Sequence, residues 1–248
     1  MRLTPLWFLS TCTSEELRES RLSFREHEQT EPQPRLRKPG SPPYQGEDEP
    51  WPNFLSMLDF GRSHRKFTVD EYLTLEEKAQ EKSEFFQGEL YAMTGGSLNH
   101  NRILNNLAGK LGHALSSGEC EIFTSDVRLF VEAHDLFTYP DLMVVCGEPR
   151  LFRTRADTLT DATVIIEVLS PGTEAYDKGP KSEFYRSLPS LKQLLLVQQS
   201  SPGVFSSVRQ TGDSWLTSHI PIGEGCIEVP CLELSLSIEE MYRRVTSP

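Results

Sequence analysis

Two carboxylates of this chain stand beside short apolar runs. Asp141 follows Pro140 and precedes Leu-Met-Val-Val, and Glu167 lies inside Val-Ile-Ile-Glu-Val-Leu. A carboxylate among β-branched residues is costly to bury unless it is paired or bound to a metal ion. Two strands that each present one acid can hold a divalent cation, and Mg²⁺ prefers oxygen ligands, several waters and substrate phosphate. The first hypothesis is therefore phosphodiester chemistry that depends on Mg²⁺ or Mn²⁺.

Three further groups are candidates to complete such a site. The backbone carbonyl of Val168, at a strand end, is a possible third metal oxygen. Lys181 lies one helical turn beyond Asp177, so a helix there would aim its ammonium towards the strand end that holds Glu167. It would then orient the attacking water or stabilise charge on the transferring group. Glu84, at a helix-to-strand junction, is a candidate ligand of a second metal ion or of a water on the first.

Most of these residues also have an ordinary structural interpretation, because strand-end acids are common in turns. Glu84 alone is well explained as a solvated charge at a helix end, and Lys181 as a surface lysine paired with Asp177. Asp126 alternates with Arg128 in the sequence, which favours an ion pair on one strand face. His100 fits a structural histidine as well as a substrate contact.

The hydrophobic pattern predicts elements that bring these residues together. Thr68 caps a helix that runs to about residue 83, with Glu71 as the capping-box partner. A strand with a Gln-Gly turn near Gly88 follows, and then Ser97 caps a long helix. The apolar stripe of that helix, which is predicted to face the core, consists of Ile103, Leu104, Leu107, Leu111 and Leu115.

The remaining chain alternates apolar runs with polar breaks. Strand-like runs cover residues 121–131, 136–145, 163–169, 191–198, 204–210 and 215–220, and helices are predicted over 177–187 and 238–245. Strands interleaved with helices indicate a mixed central sheet flanked by helices, in the α/β or α+β class.

Composition excludes some classes of function. The 248 residues carry a net charge of −11 and contain no apolar stretch near the roughly 20 residues that a membrane span needs. An acidic chain is poorly suited to unspecific coating of nucleic acid, which depends on neutralising phosphates. A metal-dependent nuclease remains compatible, because bound cations supply local positive charge. The five scattered cysteines fit a cytoplasmic protein.

The first part of the chain differs from the rest. Residues 1–63 are rich in Glu, Arg, Pro, Gln and Ser and bury too little apolar surface to offset the entropy of ordering. We expect a disordered leader, or a segment upstream of the true start that is never translated. The predicted nuclease domain is residues 64–248.

Several separate motifs resemble those of the Uma2 family of restriction endonuclease-like proteins, and the resemblance spans about residues 66–245. The motifs, in order, begin at Phe67 (FTVDEYL), Phe86 (FQGELYAMTGG), Asn99 (NHNRI), Thr124 (TSDVR), Tyr139 (YPD), Ile166 (IEVLSPGT) and Tyr176 (YDK, extending to Lys181).

The resemblance implies a fold of the PD-(D/E)xK nuclease type. It implies metal ligation by Asp141 and Glu167, with Glu84 as the early acid. Where the general nuclease pattern places its lysine, two residues after Glu167, this chain has Leu169. The resemblance implies that the lysine lies instead on the next helix. Lys181 matches this position, with Lys178 as the alternative.

The sequence therefore predicts an endonuclease that hydrolyses DNA with a metal-activated water, with a homodimer expected by analogy and no membrane association. Two alternatives stay open. The first is a non-catalytic module on the same fold that binds nucleic acid or protein. The second is a hydrolase of small phosphoesters, which the acidic composition permits.

Overall fold

The computed structural model describes residues 65–93, 95–200, 203–221 and 225–246. The predicted leader lies outside the described residues. The helices are α1 (Val69–Glu76), α2 (Leu98–Ala114), α3 (Glu174–Tyr176), α4 (Ser182–Arg186) and α5 (Ile238–Met241). The strands are β1 (Ser83–Phe86), β2 (Glu89–Ala92), β3 (Cys120–Thr124), β4 (Arg128–Val131), β5 (Leu136–Thr138), β6 (Leu142–Cys146), β7 (Thr158–Leu159), β8 (Val164–Leu169), β9 (Gln193–Gln198), β10 (Gly203–Arg209), β11 (Trp215–Pro221), β12 (Cys226–Val229) and β13 (Leu234–Ser237).

The strands form two larger sheets and a hairpin. The six-stranded sheet has the order β11-β10-β9-β8-β6-β3, and the five-stranded sheet has the order β2-β1-β5-β4-β7. The six-stranded sheet is mixed, because β8 pairs with β9 in parallel and with β6 antiparallel. β12 and β13 form the separate hairpin, which the sequence analysis did not predict. The α+β architecture with a mixed sheet agrees with the predicted fold class.

The chain changes sheets at two places that the sequence analysis treated as continuous runs. Residues 121–131 divide into β3 and β4, and residues 136–145 divide into β5 and β6, with the members of each pair in different sheets. At the second division Pro140 has no N–H to donate to a ladder, so the strand cannot continue through it. Asp141 therefore lies at a crossing between sheets, directly before β6.

Side chains of β6 and β8 alternate between two cores. Leu142 and Ile166 pack with the apolar stripe of α2, including Ile103 and Leu107. Their neighbours Met143 and Ile165 pack on the other face, in a cluster with Leu129 of β4 and Leu136 of β5. The predicted stripe on α2 is confirmed, because Ile103, Leu107 and Leu111 are buried. Strands β6 and β8 are therefore held from both faces.

Local signals for turns and caps are confirmed, while two helix ends are not. Both halves of the capping box of Thr68 and Glu71 are present. The turn between β1 and β2 has positive φ at Gln87 and Gly88, as a two-residue hairpin turn of type I′ requires. Helix α1 ends at Glu76 rather than near Ser83, and Ser83 instead begins β1, where its N–H donates to a side-chain oxygen of Glu76 at 2.8 Å. Helix α5 is also shorter than predicted.

A disulfide joins Cys120 and Cys146, which are directly opposed in the antiparallel pair β3 and β6. The spacing of the cysteines in the sequence did not predict this pair. Cys226 and Cys231 are free and exposed. Among the helices of the described ranges, none is long and apolar enough to cross a membrane.

Replacing Cys120 and Cys146 together by Ser is expected to lower the free energy of unfolding by about 3 kcal/mol, because the bond closes a loop of 26 residues in the unfolded chain. Urea unfolding with and without reductant measures this. Cys226→Ser is the matched control, since that thiol is exposed and unpaired. Equal stability of the double variant and the oxidised protein would contradict the prediction.

Candidate active site

The two predicted ligand acids meet where β6 begins and β8 ends. The ladder pairs Leu142 with Ile166, and continuing this register by one residue puts Asp141 opposite Glu167. The backbone N–H of Asp141 donates to Glu167 Oε2 at 3.3 Å, and the N–H of Val168 donates to Asp141 Oδ2 at 2.8 Å. The two carboxylates are thus held side by side at one end of the six-stranded sheet.

The backbone carbonyl of Val168 is directed towards the β6 side of β8. The N–H and C=O of one strand residue point to the same side, and the N–H of Val168 points towards Asp141. Continuing the ladder between β6 and β8 puts Pro140 opposite Val168. Because proline has no N–H, that position supplies no ladder hydrogen bond to the Val168 carbonyl. The carbonyl therefore has no ladder partner on β6, and the Val168 backbone lies near enough to His100 to help raise the pKa of that imidazole.

Lys181 reaches these acids from the segment between α3 and α4. The sequence predicted one continuous helix here, but Asp177–Lys181 forms a π-helical turn that contains Gly179 in a non-helical conformation, followed by Pro180. Such turns are frequent at functional sites. Lys181 Nζ lies 3.0 Å from Glu167 Oε1 and 3.7 Å from Asp177 Oδ1. Lys181 is buried, not a surface lysine.

Glu84 lies on β1 of the five-stranded sheet and joins the same cluster. Its Oε1 is 3.0 Å from Lys181 Nζ, and the hydroxyl of Thr138 on β5 donates to that oxygen. Glu84 is 9% exposed, so it is not the solvated helix-end charge that the sequence also allowed. The site therefore combines residues of both sheets and of the helical segment that follows β8.

The charges of this cluster are unequal. One buried ammonium, that of Lys181, faces the buried carboxylates of Glu84, Glu167 and Asp177. Burial would lower the pKa of Lys181, but Glu167 and Glu84 raise it well above its ordinary value. Burial raises the pKa of Glu167, although Lys181 opposes this, and Asp141 and Asp177 raise it further. A single shared ammonium does not neutralise this many acids, so the cluster favours an additional cation or protons.

Two contributors to the cluster were not assigned to the site from the sequence. The hydroxyl of Tyr185 donates to Glu167 Oε1 at 2.6 Å, and Thr173 donates to Asp177 Oδ2 at 2.6 Å. Tyr185 is a buried residue of α4. Its spacing of four residues after Lys181, which puts both on one helix face, is the signal that indicates its role.

The geometry shows where Lys178 points and which partners Asp126 and Arg128 have. Lys178, the alternative lysine, lies 2.5 Å from Glu174 and 4.4 Å from the centre of the Phe205 ring, so it points away from the acids. The predicted ion pair of Asp126 with Arg128 is wrong. Asp126 pairs with Lys82, and Arg128 with Asp157, because Asp126 lies in the turn before β4 rather than on its face.

His100, on the first turn of α2, joins the site from the opposite face of the sheet. Its Nε2 lies 3.1 Å from Asp141 Oδ1. Burial lowers the pKa of His100, but the hydrogen bond to Asp141 and the charges of Asp141 and Glu167 raise it above its usual value overall. The sequence leaves the role of His100 open, and in the structure its imidazole contacts Asp141, a predicted metal ligand.

The arrangement suits a hard cation with few protein ligands. Within the described residues, no three His, Cys, Asp or Glu side chains form a group that could hold a metal ion. The available set is instead the carboxylates of Asp141 and Glu167 with the carbonyl of Val168, all oxygen. Mg²⁺ is usually held by one or two carboxylates together with waters and substrate phosphate. The residues present therefore fit Mg²⁺ or Mn²⁺. The excess negative charge of the cluster also favours binding of a cation.

Comparison with known proteins agrees with this fold. The profile of a family described as "Uma2: Putative restriction endonuclease" matches residues 69–239. Two proteins of Synechocystis sp. are similar to this chain. The uncharacterized protein sll1609 is 39% identical over 154 residues, covering 62% of this chain and 86% of that protein. The uncharacterized protein slr1290 is 35% identical over 178 residues, covering 72% of this chain and 92% of that protein.

A solved structure shares the fold. The crystal structure of a putative nuclease belonging to DUF820 from Anabaena variabilis superposes with a TM-score of 0.61 at 19% identity. The match covers 73% of this chain and 99% of that one. The predicted restriction endonuclease-like fold is confirmed by this neighbour.

Proposed function

This chain belongs to the Uma2 family, and on that premise we propose that it is a metal-dependent endonuclease that hydrolyses phosphodiester bonds of DNA. One observation carries the proposal. Acids from two adjoining strands and a buried ammonium from the following helical segment converge within hydrogen-bonding distance. A structural ion pair needs one acid for one lysine, whereas this cluster has an excess of acids.

Each residue of the cluster has a proposed role. Asp141, Glu167 and the carbonyl of Val168 would hold Mg²⁺ or Mn²⁺ at the mouth of the site, and Glu84 would assist from β1. When bound, such an ion polarises phosphoryl oxygens and lowers the pKa of water. Lys181 is the group that would orient the attacking water or stabilise charge on the transferring phosphoryl group.

The surrounding residues keep these groups in position. Tyr185 donates to Glu167 Oε1, the oxygen that also faces Lys181, so Glu167 Oε2 is directed towards Asp141. Thr138 holds Glu84 from β5. Because these donors are fixed by buried strands and a buried helix face, little reorganisation is needed when substrate binds. A homodimer, with one site for each strand of a duplex, and a cytoplasmic location are parts of the same proposal.

Incubating the full chain with supercoiled plasmid is expected to produce nicked or linear DNA with Mg²⁺ or Mn²⁺, and intact plasmid with a chelator, because the acids alone cannot stabilise the phosphoryl charge. Gel electrophoresis against time measures this. Folded protein that cuts no DNA with either ion would contradict the proposal and favour the binding-module alternative. Hydrolysis of nucleotide phosphoesters in preference to plasmid would favour the small-phosphoester alternative.

A further inference from the structure

We propose that His100 is a positioning residue for the metal site, acting through Asp141. The inference rests on the proposed function, since it concerns the same acids. His100 is not part of the group of Glu84, Asp141, Glu167 and Lys181 that the sequence predicted. Its effect would be to hold the Asp141 carboxylate in the orientation that a metal ion requires.

The Asp141 carboxylate is held from two sides. Its Oδ1 faces His100 Nε2 at 3.1 Å, and its Oδ2 accepts from the Val168 N–H at 2.8 Å. A carboxylate has about four lone-pair positions, so one contact on each oxygen leaves positions for a cation. Without the imidazole, Oδ1 loses the contact that stops the carboxylate from turning about its bond to Cβ. The hydrogen bond from Val168 would then be its only restraint among these contacts.

The glycine at position 96 leaves room for the imidazole of His100. A Cβ atom on Gly96 would lie 2.7 Å from Cδ2 and 2.9 Å from Cγ of His100, closer than side-chain atoms approach one another. Both of those atoms are in the ring, which is flat and rigid, so either the ring or the backbone at residue 96 has to shift to relieve the contact, and we expect the ring to move away from Asp141. The backbone before α2 therefore packs closely against the ring of His100, and a side chain at position 96 would disturb this contact.

The start of α2 is itself tied to the strand end that carries the acids. Ser97 Oγ accepts from the His100 N–H at 3.1 Å and donates to Gln199 Oε1 at 2.6 Å. Gln199 Nε2 donates to the carbonyl of Leu169, the last residue of β8, at 2.8 Å. These bonds join the helix start and the end of β8 through the loop after β9. The imidazole is thus held in a fixed place relative to both acids.

His100 acts through Asp141 rather than on substrate. Its Nδ1 is buried and has no hydrogen-bond partner among the described residues, so that nitrogen is not open to an attacking water. Its other nitrogen is engaged by Asp141. Outer partners of metal ligands orient the ligand, and removing one typically lowers metal affinity by about 10- to 100-fold.

Mn²⁺ binding to the full chain without DNA, measured by electron paramagnetic resonance, tests the inference. His100→Leu removes the donor, and about 10- to 100-fold weaker binding is expected. His100→Gln keeps an N–H at the reach of Nε2 and is expected to restore most of the affinity. Gly96→Ala keeps the histidine but displaces its ring, so it should weaken binding like His100→Leu. The double variant that combines Gly96→Ala with His100→Leu should bind Mn²⁺ no more weakly than either single variant. Both changes break the same contact, that of His100 with Asp141, so their effects should not add.

His113→Leu is the matched control, since it lies in the exposed last turn of the same helix, and it should bind like the wild type. Wild-type affinity in His100→Leu, or additive losses in the double variant, would overturn the inference alone. If His100→Leu does not fold, the Mn²⁺ affinities of Gly96→Ala and His100→Gln are compared instead. Weaker binding in Gly96→Ala than in His100→Gln is expected, and equal binding would overturn the inference. A wild-type protein that binds no Mn²⁺ would overturn the proposed function, and this inference with it.

Discussion

Glu167→Gln is expected to slow metal-dependent DNA cleavage by about 10³-fold or more while the protein remains folded. The amide has nearly the shape of the carboxylate, so its oxygen can still accept from Tyr185 at the buried position. It lacks the negative charge that a divalent cation needs from this ligand. Initial rates of plasmid nicking, with circular dichroism as the check on folding, measure the effect.

The same variant changes how stability depends on pH. Burial raises the pKa of Glu167 from 4.5 to about 8, so the folded protein binds this proton more tightly than the unfolded chain does. The contribution of Glu167 to stability is therefore full below the unfolded pKa and is lost as the pH rises through the folded pKa. Between about pH 5 and pH 8, the free energy of unfolding should fall less in Glu167→Gln than in the wild type.

Urea unfolding at the two pH values measures that difference. Glu183→Gln on α4 is the control, because this carboxylate is exposed and, in the part of the chain that the structure describes, its ion pair is with Arg186. Its pH dependence should equal that of the wild type. A Glu167→Gln variant that cuts DNA at the wild-type rate would remove Glu167 from the proposed metal ligands. Identical pH profiles of variant and wild type would contradict the charge assignment of the cluster.

Lys181→Met is expected to abolish cleavage and to lower the free energy of unfolding by about 3–5 kcal/mol at neutral pH. The loss is large because Lys181 is 6% exposed and its Nζ lies 3.0 Å from both Glu84 and Glu167. Without it, buried carboxylates face one another with no cation. Lys178→Met is the matched control, three residues earlier in the same segment, since that lysine points away towards Phe205.

The stability defect of Lys181→Met should depend on pH in a defined direction. The pKa of Lys181 is raised above its ordinary 10.5, so the lysine is charged in the folded and unfolded states throughout the acidic and neutral range. The pH dependence of the variant comes from its carboxylates, which must take up protons to stay buried. The defect should shrink at about pH 5 and grow at about pH 8. A defect equal to that of Lys178→Met would show that the buried pairings contribute little.

Several features of this fold follow from patterns that are local in the sequence. The capping box joins Thr68 and Glu71, which are three positions apart, and the stripe of α2 repeats at helical spacing. The turn between β1 and β2 needs positive φ at two neighbouring residues, Gln87 and Gly88. Each depends on neighbours within one or two turns of chain, so each is determined without knowledge of the rest of the molecule.

Other features depend on contacts between distant parts of the chain. Thr138 and Glu84 are 54 residues apart, and His100 and Asp141 are 41 apart. The hydrophobic periodicity of a short stretch of sequence does not indicate which strands will be neighbours in the sheet. The division of residues 136–145 between two sheets is likewise decided by the partners that each half finds.

By itself, the sequence determined the chemistry that is available: acids among apolar residues, a lysine pair on the next helical segment, and a family resemblance over most of the chain. Only the tertiary structure decided which lysine faces the acids and which histidine holds one of them. A π-helical turn at Gly179 and Pro180 turns Lys181 inward and leaves Lys178 on Phe205. The physical reason is that side-chain direction depends on how each segment packs against strands far away in the chain, whereas residue type does not.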